Sequence, residues 1–110
     1  MQNAVNHIRQ WGIPSAKKAI EFARKNHLSY VIEKHSNKRI QVVYLKELVA
    51  SFDLVEEMGG YSRCKFYMTG MLLNGSDSVR CPDTKKVVAK AVLEKALDDY
   101  QQISIEFLEE

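Results

Sequence analysis

Residues 11–43 of the 110-residue chain read WGIPSAKKAIEFARKNHLSYVIEKHSNKRIQVV. This stretch begins with a helix start, because the Pro14 ring stops the preceding chain from continuing helically and the Ser15 hydroxyl can accept from a first-turn amide. Apolar residues then recur at helical spacing in one narrow stripe: Ala16, Ala19, Ile20 and Ala23. The pattern predicts a helix from Ala16 that ends at Asn26, a residue type that tolerates the left-handed cap conformation.

The opposite face of this predicted helix is cationic. It carries four Lys or Arg residues and one acid: Lys17, Lys18, Glu21, Arg24 and Lys25. Backbone phosphates dominate the affinity of proteins for nucleic acids, and a helix fits the major groove of duplex DNA. We therefore expect the cations to contact DNA and Ser15 to contact a phosphate at the helix start. Glu21 is expected either to accept from a cytosine or to form a salt bridge with Lys17 or Lys25.

After Leu28 the apolar residues change to a period of two, which predicts β-strands. Two alternating stretches, residues 30–33 and 40–43, flank turn-forming residues at 35–38. The tip of this predicted hairpin collects polar and cationic side chains: Lys34, His35, Asn37, Lys38 and Arg39. A cationic hairpin directly after a basic helix is typical of a wing that contacts the DNA backbone, so we include these five residues in the candidate DNA-binding site.

The order of these segments resembles the winged helix-turn-helix domain of excisionases and MerR-type regulators. The resemblance covers residues 3–52, with a first helix from Asn3 to Trp11. The family's Gly-Val-Ser turn, Gly-x-Leu helix end and Leu-containing closing helix correspond here to Gly12-Ile13 with Ser15, Asn26-His27-Leu28 and Tyr44-Leu45-Lys46-Glu47-Leu48.

The match departs from the family at two points. Pro14 lengthens the turn by one residue, and Lys17 or Lys18 stands where the recognition helix usually has a threonine. The resemblance implies double-stranded DNA as the partner, and a role as a small transcriptional regulator or an excisionase-like factor, sequence-specific or architectural.

The second half of the chain predicts a mostly helical extension, so the fold class is expected to be α+β and mostly helical. Residues 44–58 have the apolar spacing of a helix that Gly59-Gly60 ends, and residues 61–73 fit a helix better than a strand. Residues 74–78 form a predicted loop. The expected organisation is one compact domain, with a winged helix-turn-helix at 3–52 and a helical extension at 53–110. No internal repeat is apparent.

A last long helix is predicted to open at Pro82, with Asp83 as its cap. Its broad apolar face includes Val88, Val92, Leu93 and Leu97. This width predicts contact either with a second subunit, which would make the protein a dimer, or with the helix at 44–58. Residues 103–108 fit a strand or a continuation of the helix.

Charge is distributed unevenly along the chain. The net charge is +2, but residues 1–43 hold eight Lys or Arg against two acids, whereas the remainder holds eight against twelve. This segregation is typical of a nucleic-acid-binding half joined to a non-binding half, and an uneven solvated surface is the alternative. No apolar run approaches the roughly 20 residues of a membrane span, so we expect a cytoplasmic protein without membrane contact.

The sequence offers no convergent set of catalytic groups, so we expect neither an enzyme nor a bound cofactor or metal. Cys64 and Cys81 are too few for a disulfide scaffold and lack the spacing of a zinc site. The main alternative function is a small phage- or plasmid-type accessory protein. It would bind another protein through residues 53–110, whose methionines suit adaptable apolar contacts.

Overall fold

The computed structural model describes residues 2–33, 36–82 and 84–104. Over these residues the protein is α+β and mostly helical, as predicted. The elements in chain order are α1 (Gln2–Lys25), β1 (Tyr30–Ile32), β2 (Arg39–Gln41), α2 (Val42–Glu57), α3 (Tyr61–Asn74), β3 (Ser78–Arg80), β4 (Val87–Ala89) and α4 (Lys90–Ile103). The chain divides into two compact units. Unit 1 holds the described residues of 1–50 and 102–110, and unit 2 holds those of 51–101.

Helix α1 consists of two helical segments that meet at a kink. Gly12 has φ 86° and ψ 171°, a conformation that side-chain-bearing residues rarely adopt. Pro14 follows and lacks the amide needed to continue the hydrogen-bond ladder through this point. The segments are residues 2–11 and 13–25. Their buried residues are those of the predicted apolar stripes: Ala4, Val5, Ile8, Ala16 and Ala23.

The left-handed residue that caps the second segment lies one position later than predicted. His27, and not Asn26, has the left-handed conformation, with φ 56°. The Leu28 amide donates to the Ala23 carbonyl at 2.9 Å, which is the long hydrogen bond of a Schellman cap. Asn26 remains useful at this end, because its side-chain amide donates to the Phe22 carbonyl at 2.8 Å.

The first hairpin is present as predicted. Strands β1 and β2 pair antiparallel, with Val31 opposite Ile40. Ile40 is buried, whereas its neighbours Arg39 and Gln41 are exposed, which is the alternation of a half-buried strand. Helix α2 follows β2 directly and runs unbroken to Glu57. The buried apolar residues of unit 1 are Ala4, Val5, Ile8, Ala16, Ala23, Ile40, Val42, Leu45, Leu48, Val49 and Ile103.

In unit 2 the predicted helix after Gly60 is present, whereas the last helix begins later than predicted. Residues 61–74 are helical, as favoured by their apolar spacing. The predicted helix from Pro82 is wrong, because β3 and β4 form a second antiparallel hairpin and α4 begins only at Lys90. The predicted loop at 74–78 is present between the end of α3 at Asn74 and the start of β3 at Ser78. Val88 is buried between exposed neighbours, as strand alternation requires. Asp83, the predicted cap, lies outside the described residues, as do residues 105–108 of the predicted tail.

The broad apolar face predicted for the last helix lies on β4 and α4 and is used inside the chain. Val88, Leu93 and Leu97 belong to the core of unit 2 and share it with Val55 and Met58. This was the second of the two partners predicted for the face, the helix at 44–58. Val92 is the exception among the four predicted residues, since 53% of it is exposed.

The two units repeat the same arrangement of elements. Each residue of the first hairpin corresponds to the residue 48 positions later in the second, as Tyr30 does to Ser78. The turns have the same hydrogen bonds: Glu33 N–H donates to Lys38 O at 3.0 Å, and Cys81 N–H donates to Lys86 O at 2.9 Å. The same shift relates Gly12 to Gly60, which has φ 101° and precedes α3.

The repeat extends through helices, hairpin and core. Ala16 and Cys64 are both fully buried, and so are Leu45 and Leu93. Identical residues are nevertheless few over residues 12–55 and 60–103: Gly12 and Gly60, Lys17 and Lys65, Asn26 and Asn74, Val31 and Val79, Lys38 and Lys86, and Leu45 and Leu93. The chain therefore contains two copies of one glycine–helix–hairpin–helix unit that have diverged in sequence.

Candidate nucleic-acid interface

The predicted cations of the second α1 segment are all exposed. Burial of Ala16 and Ala23 turns one face of the segment into the core, which leaves the opposite face to solvent. That face carries Lys17, Lys18, Glu21, Arg24 and Lys25. The five side chains therefore lie on one solvent-facing surface, as their helical spacing predicted.

One of these cations is engaged by the acid beside it. The Arg24 guanidinium donates from Nε to Glu21 Oε2 at 2.9 Å and also contacts Glu21 Oε1 through Nη2. This hydrogen bond lowers the pKa of the Glu21 carboxyl and raises the pKa of Arg24. Glu21 thus forms a salt bridge with Arg24, a partner that was not predicted for it beside Lys17 and Lys25.

The first hairpin exposes the predicted residues that the structure describes, Asn37, Lys38 and Arg39. The Arg39 guanidinium lies 4.2 Å from the centre of the Tyr30 ring, a cation–π contact that orders the side chain. The Arg39 carbonyl accepts from Asn3 Nδ2 at 3.0 Å, which ties β2 to the first α1 segment. Lys34 and His35, also predicted to contact DNA, lie outside the described residues.

Ser15 lies in a different environment from the one predicted for it, which was an exposed phosphate contact at the helix start. Its hydroxyl lies 3.3 Å from His7 Nε2, and His7 Nδ1 lies 3.2 Å from Glu33 Oε2. The His7 and Glu33 side chains are only 11% and 12% exposed. Ser36 Oγ donates to the other Glu33 oxygen at 3.2 Å. This network links both α1 segments to the first hairpin. The Ser15 hydroxyl therefore contacts other side chains of unit 1.

Sequence reasoning missed His7 and Glu33 as partners of Ser15. No local spacing relates these three residues, which are brought together by the kink at Gly12 and by the return of the chain through β1. The signal available in the sequence was Gly12 shortly before Pro14, which indicated a change of chain direction without indicating which residues would meet there.

An apolar groove of about 840 Å³ lies between the second α1 segment and the first hairpin. We call it the groove. It is lined by His7, Trp11, Ser15, Lys18, Ala19, Phe22, Leu28, Tyr30, Val31, Ile32, Glu33 and Ile40. Large apolar side chains in this lining are substantially exposed, including Phe22 and Ile32 at 58% each. The groove separates the cations of the helix from those of the hairpin, and Lys18 lies on its wall.

The corresponding helix face of unit 2 has a different chemistry. Phe66, Leu72 and Leu73 stand where unit 1 has Lys18, Arg24 and Lys25. They are 74%, 63% and 82% exposed, respectively. The second hairpin keeps exposed cations at Arg80, Lys85 and Lys86. The cationic helix face is therefore a property of unit 1, where residues 1–50 hold nine Lys or Arg against three acids.

Neither cysteine is arranged for nucleophilic chemistry. Cys64 and Cys81 are both buried in unit 2. Burial raises the pKa of the Cys64 thiol to about 11, with smaller contributions from Cys81 and Glu56, so this thiol is protonated at neutral pH. Within the described ranges, no three His, Cys, Asp or Glu side chains are grouped to hold a metal ion. No helix in the same ranges is long and apolar enough to cross a membrane.

No protein-family model, curated protein or solved structure matches this chain. Its function is therefore inferred from the placement and chemistry of its own residues.

Proposed function

We propose that the protein binds double-stranded DNA through unit 1, in the manner of a winged helix-turn-helix. The observation that carries the proposal is the single exposed helix face with Lys17, Lys18, Arg24 and Lys25. In the proposed complex this face lies in the major groove, where a helix fits and where cations meet both phosphates and base edges. The role is that of a small regulator or excisionase-like factor.

The arrangement of α1 supports this reading. The kink at Gly12 divides α1 into two segments, and the burial of Ala16 and Ala23 in the second segment leaves its cations facing outward. Small buried residues allow the close helix approach that compact helix-turn-helix units require. The first hairpin follows directly and exposes Lys38 and Arg39, which suit backbone phosphates beside the major-groove contact.

The network of Ser15, His7 and Glu33 is a positioning device in this proposal. It fixes the second α1 segment relative to the hairpin, and thereby the spacing between the two sets of cations. Replacing His7 by alanine should weaken DNA binding although His7 itself contacts no DNA, because the hairpin loses its polar tie to the helix.

The test separates the helix from the hairpin. Lys17→Ala with Lys18→Ala should weaken binding and also narrow the preference for a selected site over random duplex, since each lost base contact removes about 1–3 kcal/mol of discrimination. Lys38→Ala with Arg39→Ala should weaken binding to both duplexes equally, because phosphate contacts carry no sequence information. Lys85→Ala with Lys86→Ala in the second hairpin is the matched control. Unchanged binding by both unit 1 variants would refute the proposal.

A second candidate function is favoured by one specific observation. The contacts from Ser15 Oγ to His7 Nε2, and from His7 Nδ1 to Glu33, follow the order of a Ser–His–acid nucleophile. They lie on the wall of an apolar groove, where acyl substrates bind in hydrolases. A fluorophosphonate probe tests this function: labelling of wild type that is lost in Ser15→Ala and in His7→Ala would support a hydrolase. Absence of labelling would leave the network with its positioning role.

A further inference from the structure

Two apolar surfaces of this chain lie on different units. Unit 1 has the groove, a concave surface with Trp11, Phe22, Leu28 and Ile32 in its lining. Unit 2 has three highly exposed apolar side chains on α3, Phe66, Leu72 and Leu73, which we call the ridge; Phe66 and Leu73 lie on one face of the helix. Contiguous exposed apolar surfaces of this kind mark interaction sites in soluble proteins.

The repeat shows that the residue types of these two surfaces differ between the units. The ridge residues stand at positions that are cationic in unit 1. Conversely, Ala19 and Ile32 in the groove correspond to Tyr67 and Arg80 in unit 2, where Tyr67 packs against the core. One backbone arrangement thus carries a groove in one copy and a ridge in the other, so the divergence is complementary.

We propose that the ridge of one molecule docks into the groove of a second copy of this chain. The ridge has the anchor spacing of an amphipathic helix, since Phe66 and Leu73 are separated by two turns. Binding of such a helix in an apolar groove is a common mode of recognition.

Charge favours this occupant. Residues 66–76 contain no charged residue, so the ridge brings no ion into the groove. Residues 1–50 hold nine Lys or Arg against three acids, whereas residues 51–101 hold seven against eight. Contact between unit 1 of one copy and unit 2 of another therefore avoids the repulsion between two cationic units. Because the two surfaces differ, this contact is head-to-tail and leaves a free groove and a free ridge at the ends of each assembly.

The test uses two variants that each block one surface. The ridge variant is Phe66→Glu with Leu73→Glu. The groove variant is Ala19→Tyr with Ile32→Arg, which places in unit 1 the residue types that unit 2 has at the same positions. Sedimentation velocity should show wild type growing beyond a dimer with concentration, and each variant alone should lose at least about tenfold in association constant. An equimolar mixture of the two should recover one interface and form a one-to-one dimer.

Val92→Glu is the control, because Val92 is an exposed apolar residue of unit 2 that lies on α4 and outside the ridge. It should associate like wild type. The ridge positions are mostly solvent-exposed, so far-UV circular dichroism should be unchanged, and Leu73→Glu alone provides a milder variant. A wild type that stays monomeric at about 100 µM would overturn the proposal and leave the ridge for a different protein or a lipid surface. Failure of the mixed variants to form a dimer would also overturn it.

Discussion

Glu21 is the acid that limits the proposed DNA contact, because it holds the one arginine of the cationic helix face. The pair with Arg24 is exposed, and exposed ion pairs contribute little to folding stability. The pair instead reduces the availability of the Arg24 guanidinium for contact with DNA. The Glu21 carboxylate is charged at neutral pH, and its hydrogen bond with Arg24 lowers its pKa further.

Glu21→Gln should therefore strengthen DNA binding. The substitution removes a negative charge from the interface and releases Arg24, so the slope of log K against log salt should become steeper by about 1. Fluorescence anisotropy over a salt series measures both quantities. Glu94→Gln removes the same charge from an exposed position of unit 2 and should leave binding unchanged. Weaker binding by Glu21→Gln would indicate that the carboxylate contacts a base.

The hydroxyl of Tyr67 lowers the stability of the folded protein. The Tyr67 oxygen is buried, and no hydrogen-bond partner for it is present in the described part of the chain. Tyr67→Phe should raise the free energy of unfolding by about 1 kcal/mol, because an unpaired buried polar group is removed. Tyr100→Phe is the matched comparison, since the Tyr100 hydroxyl donates to Glu56 at 2.9 Å and its loss should lower stability. Urea denaturation measures both, and destabilisation by Tyr67→Phe would contradict this account.

Cys64 makes stability depend on alkaline pH. Burial raises its pKa from 9.0 to about 11 in the folded protein, so the unfolded state loses the thiol proton more readily. The stabilisation is fully present below pH 9 and is lost as the pH rises through 11. Unfolding followed between pH 8 and 11 should show a decline that is smaller in Cys64→Ala. An identical decline in the variant would assign the effect to other groups.

At the scale of elements, the repeated glycine kink decides the arrangement of each unit. Gly12 and Gly60 both have positive φ. A Cβ added at Gly12 would contact only the Pro14 ring, at 3.6 Å, and a Cβ added at Gly60 would contact nothing within 4 Å. Replacement by alanine should thus report backbone strain, at a cost of about 1–3 kcal/mol for each. Gly70→Ala is the control, because Gly70 is helical and its surroundings are open. It should stabilise α3 by up to about 1 kcal/mol. Equal effects at all three glycines, measured by thermal unfolding, would contradict this assignment.

The first hairpin could be predicted from sequence and the second could not. In the first, the apolar period changes from helical to alternating at Leu28, and turn-forming residues separate the strands. In the second, Val87 and Val88 have the spacing of the apolar face of α4. The strand and the helix therefore fit one helical pattern of apolar residues. The hydrogen bonds that define the second turn are backbone bonds, which side-chain periodicity does not report.

The candidate site was predictable only where it depends on one element. Lys17 and Lys25 could be placed on an exposed face because a single helical period fixes that face. The contacts of Ser15 with His7 and Glu33 depend on the kink and on the return of the chain, which no local spacing encodes. The groove is missed for the same reason, since its walls come from separate elements.

At the scale of the whole molecule, one backbone arrangement occurs twice with two surface chemistries. Buried positions correspond, as with Leu45 and Leu93, and so preserve the fold of each unit. Exposed positions have diverged, from cations on α1 to apolar residues on α3. Because so few residues are identical, the repeat is recognisable in hydrogen bonds and backbone angles rather than in sequence. We propose that unit 1 binds DNA and that the ridge of unit 2 takes part in self-association.

The salt dependence of duplex binding by the full chain tests the central claim most directly. With Arg24 held by Glu21, the other five cations at the proposed interface predict a slope of log K against log salt of about −4.5 for wild type. Replacing Lys17, Lys18, Lys38 and Arg39 together by alanine should bring the slope to about −1, whereas Lys85→Ala with Lys86→Ala should leave it at the wild-type value. A slope that is the same for wild type and the fourfold variant would contradict the assignment of DNA binding to unit 1.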